Sequence, residues 1–118
     1  MLSLSHKNLE IWKKSMEFVS YIYGMTESFP KTEIYGITNQ LRRGAVSIPS
    51  NISEGASRSG IKDRRRFYQI ARSSLVELDT QLEIAIRLNY IHDSQMPDLS
   101  ERLNHVFAML TNLIEGTK

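Results

Sequence analysis

Apolar residues recur at intervals of three and four along nearly the whole chain, and nowhere do they alternate strictly with polar ones. That period places them on single faces of α-helices and excludes half-buried strands, so an all-α fold follows from spacing alone. Leu9, Trp12, Met16, Val19 and Tyr23 define a first helix from about Asn8 to Glu27, closed by Ser28-Phe29-Pro30-Lys31. Proline ends it because it disfavours helical geometry in the residue before it and donates no backbone hydrogen bond. In the second segment Ile34, Ile37, Leu41, Ala45, Ile48 and Ile52 keep their phase straight through Pro49. Two helices meeting at a proline have no reason to share one stripe, so the spacing predicts a single helix from about Thr32, its N-cap, to Ser57, kinked near Pro49. A break at Ser47-Ile48-Pro49-Ser50, with Asn51 capping and Glu54 completing a capping box, is the alternative.

Ser57-Arg58-Ser59-Gly60 reads as a turn. Phe67, Ala71, Leu75, Leu78, Leu82 and Ala85 then carry a third helix to about Asn89, and Leu99, Leu103, Val106, Leu110 and Leu113 a fourth beyond the Asn89 to Pro97 connector. Four amphipathic helices on short connections predict an antiparallel up-and-down four-helix bundle, and 118 residues favour one domain over residues 1–118. A chain of this size needs no metal or disulfide to hold its core, in keeping with an absence of cysteine that also suits a reducing compartment. Its apolar runs are too short to span a membrane, and the N-terminal residues lack the pattern of a secretory signal. A soluble cytoplasmic protein with no membrane partner is expected.

The first helix carries a second apolar set, Ile11, Phe18, Ile22 and Met25, well round the cylinder from the first. One core cannot bury both, so these four residues are the expected interface of a homo-oligomer. The alternative is that the helix sits deeper in its own monomer. Beside the Leu41 stripe, Gln40, Gly44, Ser47, Asn51 and Glu54 form a seam of small or polar residues, read as tight packing within the monomer.

Charge is unevenly distributed. The overall net charge is +2, yet Gln40 to Arg72 alone carries +6. Lys62, Arg64, Arg65 and Arg66 fall in the first turns of the third helix, where the dipole is already positive, so helix stability does not explain them. With Arg58 and Arg72 they are the candidate nucleic-acid-binding residues, since arginine forks suit phosphate. Phe67 lies on the core phase there, which leaves Tyr68 to stack on a base. A solvated charged face is the plainer reading of the same residues, and an acidic protein partner is the other functional one. His6, His92 and His105 have no ligand spacing, and no phosphate loop or nucleophile elbow occurs. No metal, no cofactor and no catalytic residue is expected, and the chain reads as a non-enzyme.

Leu9 to Trp12, Phe29-Pro30, Glu33 with Tyr35-Gly36, Gln40-Leu41-Arg42-Arg43, Ser47-Ile48-Pro49-Ser50-Asn51-Ile52, Glu54-Gly55 and Ser74 with Glu77 together resemble one family over nearly the whole chain. It is the four-helix-bundle family encoded in intervening sequences of bacterial 23S ribosomal RNA genes. Gly44, Ser53 and Ser73 depart from its pattern, which has alanine, alanine and glycine there. The resemblance implies a bacterial cytoplasmic homopentamer without established enzymatic activity. It extends to the accessory variability protein of diversity-generating retroelements, a basic bundle that works with a reverse transcriptase and nucleic acid, and so implies RNA, DNA or a reverse transcriptase as partner. By position, Arg42, Arg43, Asn51, Glu54 and Glu77 match the family's polar signature and are expected in structural hydrogen-bond networks.

Overall fold

The computed structural model describes residues 1–118 and contains four long helices and no strand. A 3-10 turn at Ser5–Asn8 leads into α1, Glu10–Thr26, and another at Lys31–Glu33 precedes α2, Ile37–Ala56. Next come α3, Ile61–Arg87, a 3-10 turn at Asp93–Gln95, and α4, Met96–Gly116. α1 packs on α2 and α4, α2 on α3, and α3 on α4, with no close approach along either diagonal, which is the up-and-down arrangement. The molecule measures 44 × 27 × 20 Å, its length set by α3 at about 1.5 Å per residue.

α2 runs through Pro49 as one helix, and Leu41, Ala45, Ile48 and Ile52 are completely buried along it. Side chains serve the carbonyls around the proline. Asn51 Nδ2 donates to the Ser47 carbonyl at 2.8 Å, and Ser53 Oγ to the Pro49 carbonyl at 2.9 Å. The helix starts at Ile37 rather than Thr32, because residues 31–33 form their own turn, and Ile34 is exposed. α3 ends at Arg87. Asn89 then takes a left-handed φ of 62°, which asparagine tolerates better than most residues and which no helix continues through.

On α1 the expected assignment of faces is reversed. Ile11, Phe18, Ile22 and Met25, the expected interface, are all buried within their own chain, Phe18 at 2% exposure. Met16 and Tyr23 are exposed, and Leu9, Trp12 and Val19 only partly covered. Ser15 completes the inward stripe, its hydroxyl donating to the Trp12 carbonyl at 2.7 Å, so it enters the core without an unpaired polar group. Early on α3 the expectation is reversed as well: Tyr68 is buried at 1% exposure and Phe67 lies only partly covered. On α4, Leu99, Val106, Leu110 and Ile114 are buried, while Leu103 and Leu113 flank them.

Tyr68 is inside because Gly55 makes room for it. A Cβ at Gly55 would stand 2.7 and 2.9 Å from the Tyr68 ring and 3.1 Å from the Arg64 carbonyl. The glycine therefore sets how closely α2 and α3 approach. At the opposite end of these helices Tyr90 Oη donates to Glu33 Oε2 at 2.9 Å, and the Phe29 and Tyr90 rings pack 5.4 Å apart. This clasp joins the α1–α2 linker to the α3–α4 connector. It also raises the Tyr90 phenol above its ordinary value of 10, first because the phenolic proton is held by Glu33, then through burial and the Glu33 charge.

Near the N-terminus His6 is buried, its ring edge-on to Trp12 at 5.6 Å. Ser53 Oγ lies 3.2 Å from His6 Nε2, accepts from Trp12 Nε1 at 3.2 Å and gives its own proton to Pro49. Since that hydroxyl has one hydrogen to give, His6 Nε2 is the donor in its bond.

Candidate nucleic-acid interface

The turn between α2 and α3 and the first turns of α3 bring most of the basic residues to one end of the bundle. Arg58 lies in the turn, 3.3 Å from Glu54 and 3.7 Å from Asp63, with its guanidinium over the Phe67 ring at 4.8 Å. Arg66 reaches Asp63 at 3.3 Å and stacks on the same ring at 4.6 Å. Phe67 is therefore occupied by two arginines, and with Tyr68 buried neither aromatic is a bare stacking platform. Arg72 leaves the group: its Nη1 donates to Thr111 on α4 at 3.2 Å, and it lies 5.8 Å from the Phe107 ring centre.

Lys62, Arg64 and Arg65 have no carboxylate within ion-pair distance, and Arg64 Nε is buried without a partner. The acids of this end, Glu54 and Asp63, are already shared between Arg58 and Arg66, through exposed pairs worth about 0–1 kcal/mol each. Pairs that weak exchange readily for phosphate oxygens. Gly60 precedes α3 without any side-chain cap, so the positive end of the helix dipole adds to the field. Chemically, this end can hold an anion. His92 and His105 are exposed and apart, and no group of three acidic or histidine side chains is placed to hold a metal ion.

The polar signature residues do not form one network. Arg42 lies against α1, its Nε donating to Thr26 Oγ1 at 2.9 Å and its guanidinium 4.7 Å from the Tyr23 ring. Asn51 braces the Ser47 turn, and Glu54 pairs with Arg58. Arg43 and Glu77 instead face a groove of about 480 Å³ between α2 and α3, together with Asn39, Gln40, Ser47, Ser74 and Gln81. Of the seam expected beside the Leu41 stripe, Gln40, Gly44 and Ser47 line its α2 wall while Asn51 and Glu54 lie outside it, and the Ser47 and Ser74 hydroxyls stand 2.6 Å apart with Gln81 Nε2 donating to Gln40 at 3.3 Å. Ser74 stands out in the sequence only through the family resemblance, and Gln81 does not stand out at all. Their spacing of seven along α3, matching that from Gln40 to Ser47 on α2, is the signal that pairs them.

The α1–α4 side is of mixed charge. Arg102 pairs with Asp98 at 3.3 Å and covers the Tyr21 ring at 4.3 Å. Burial, then the Asp98 charge, push the Tyr21 phenol up, against a smaller opposing pull from Arg102.

A family model described as 23S rRNA-intervening sequence protein matches residues 7–112. A crystal structure from Bacteroides thetaiotaomicron, of a protein with unknown function from the S23 ribosomal protein family, is similar with a TM-score of 0.80 at 24% identity. The likeness covers 89% of this chain and 95% of that one, and at this identity it shows the fold. No curated protein matches the chain.

Proposed function

The chain belongs to the 23S rRNA-intervening sequence protein family, and within it we propose a non-catalytic, self-associating bundle that binds structured RNA or DNA through its α2–α3 end. One observation carries the reading: Lys62, Arg64 and Arg65 occur in one stretch with no carboxylate partner, beside two arginines held only by exposed pairs. Nothing in the fold requires cations there, and the dipole of α3 opposes them. A phosphate backbone supplies the missing counter-charge.

Self-association is supported by the face of α1 that the monomer leaves open. Met16, Trp12 and Val19 meet Val46 and Pro49 of α2 along a largely apolar groove of about 260 Å³. On the opposite side of the bundle, Val76 of α3 and Phe107 of α4 are exposed beside a second shallow groove. Two different apolar surfaces on opposite sides suit a head-to-tail contact, which closes into a ring when the rotation between copies allows. The pentamer implied by the family resemblance is such a ring. It would repeat the basic end once per subunit and raise avidity for a long anionic partner.

Gel shifts on a structured RNA and a DNA duplex across a salt series test the function. Wild-type affinity should fall steeply with salt, and joint replacement of Lys62, Arg64 and Arg65 by alanine should lower the log–log slope by about 2–3. Unchanged affinity in the triple variant would defeat the reading, and selective binding of an acidic protein in place of both nucleic acids would favour a scaffold.

A further inference from the structure

The groove between α2 and α3 holds groups that the monomer does not use. Arg43 on α2 and Glu77 on α3 line it, both exposed, and neither makes an ion pair with any residue of the chain. On its floor Gln81 Oε1 is buried without a donor, while the Nε2 of the same amide makes a long 3.3 Å bond to Gln40. Gly44 leaves the middle of the floor open, the space where its Cβ would stand being 3.5 Å from Leu78 and 4.0 Å from Gln81 Oε1. At about 480 Å³ the groove is within the range of small-ligand sites.

These groups specify what would fill it. Glu77 and Gln81 Oε1 are acceptors in want of N–H donors, and Arg43 is a donor in want of an anionic or carbonyl oxygen. A molecular edge with two adjacent N–H donors next to a carbonyl meets both demands. Among the nucleobases guanine alone has that edge, with N1–H and N2–H beside O6. We propose that this groove takes one unpaired guanine of a nucleic acid held at the basic end, Glu77 accepting from N1–H and one N2–H, Gln81 Oε1 accepting from the other N2–H, and Arg43 donating to O6. The inference rests on the nucleic-acid reading above. Arg66 and Glu77 are eleven residues apart on α3, about 16 Å, so a strand leaving the basic end reaches the groove within a few nucleotides. The guanine must be unpaired, because its Watson–Crick edge is consumed in a duplex. An aromatic platform is absent from the groove, so recognition depends on hydrogen bonds, and sequence preference should therefore exceed that of a stacking site.

The experiment compares single-stranded RNA oligomers that differ at one position, guanine, inosine or adenine, by fluorescence anisotropy with the full chain. Guanine should bind about 10-fold or more tightly than adenine, with inosine, which lacks the N2 amine, in between. Glu77→Gln, an exposed position where the fold is not at stake, should abolish that preference while leaving the salt-dependent affinity for the adenine oligomer unchanged. Equal affinity for all three oligomers, or a guanine preference that survives Glu77→Gln, would overturn the inference and leave the basic-end reading intact. Failure of the chain to bind any oligomer or structured RNA would overturn both.

Discussion

Replacing Gly55 with alanine should destabilise the bundle, whereas the same replacement at Gly44, about three turns earlier on α2, should stabilise it. Either change gains up to about 1 kcal/mol of helix propensity, because glycine is the more costly residue in a helix interior. At Gly44 the new methyl group meets Leu78 Cδ1 at 3.5 Å, Leu78 Cβ at 3.8 Å and Gln81 Oε1 at 4.0 Å, all ordinary van der Waals contacts, so most of the gain should be kept. At Gly55 it meets two carbons of the Tyr68 ring at 2.7 and 2.9 Å and the Arg64 carbonyl at 3.1 Å. The ring is 1% exposed and cannot swing out, and the carbonyl belongs to the helix backbone. Relief requires α2 and α3 to move apart, an overpacking cost of about 1–3 kcal/mol that exceeds the propensity gain. The propensity gain cancels between the two variants, which should therefore differ by the overpacking cost of about 1–3 kcal/mol, or roughly 4–12 °C in Tm for a domain of this size. Thermal and urea unfolding followed by circular dichroism measure this directly. Shifts of the same sign in both variants would refute the claim that a close helix approach dictates glycine at position 55.

Three further perturbations separate surfaces that look alike in the sequence. Phe18→Asp should leave the chain unfolded at 25 °C, since loss of a buried phenylalanine costs about 3–5 kcal/mol before the buried charge is counted, whereas Met16→Asp should retain full helical dichroism; a folded Phe18→Asp variant would contradict the assigned faces of α1. Ser53→Ala removes the shared acceptor of Trp12 Nε1 and His6 Nε2 and should cost about 1–2 kcal/mol, with a shift in the emission of the single tryptophan; an unchanged spectrum would mean that the N-terminal turn is not held there. Tyr90 protonated is the form that bonds Glu33, so its stabilisation is complete below pH 10 and disappears as pH rises through its raised folded value. Tyr90→Phe should lower Tm at neutral pH, and the difference from wild type should narrow above pH 10; a constant difference would show that the bond is not what stabilises.

Much of the fold is legible in the sequence because helical period survives every ambiguity of local propensity. The Leu41 to Ile52 phase carries α2 through Pro49 even though proline alone argues for a break. On α1 the same rule picks the wrong face. Its inward stripe, Ile11, Ser15, Phe18, Ile22 and Met25, is interrupted by a serine, while the outward one from Leu9 to Tyr23 is apolar throughout. Ser15 is at home inside because it bonds its own helix, a satisfaction that hydropathy does not register. Phe67 and Tyr68 exchange places for a similar reason: the room for Tyr68 comes from Gly55 on another helix, and two arginines cover Phe67. The charge run on α3 is plain in the sequence, but which cations remain unpartnered depends on where Asp63 points. The groove needs both of its walls, and only the α2 half stands out as a seam.

One copy of the chain buries one apolar stripe of α1 and leaves the other partly exposed, and in the proposed oligomer a second copy covers it. Solution mass by sedimentation velocity, on wild type and on the double variant Met16→Asp with Val46→Asp, tests it most directly. Wild type should sediment as a discrete oligomer and the variant as a folded monomer; a monomeric wild type at micromolar concentration, or an oligomer untouched by both charges, would rule self-association through this face out.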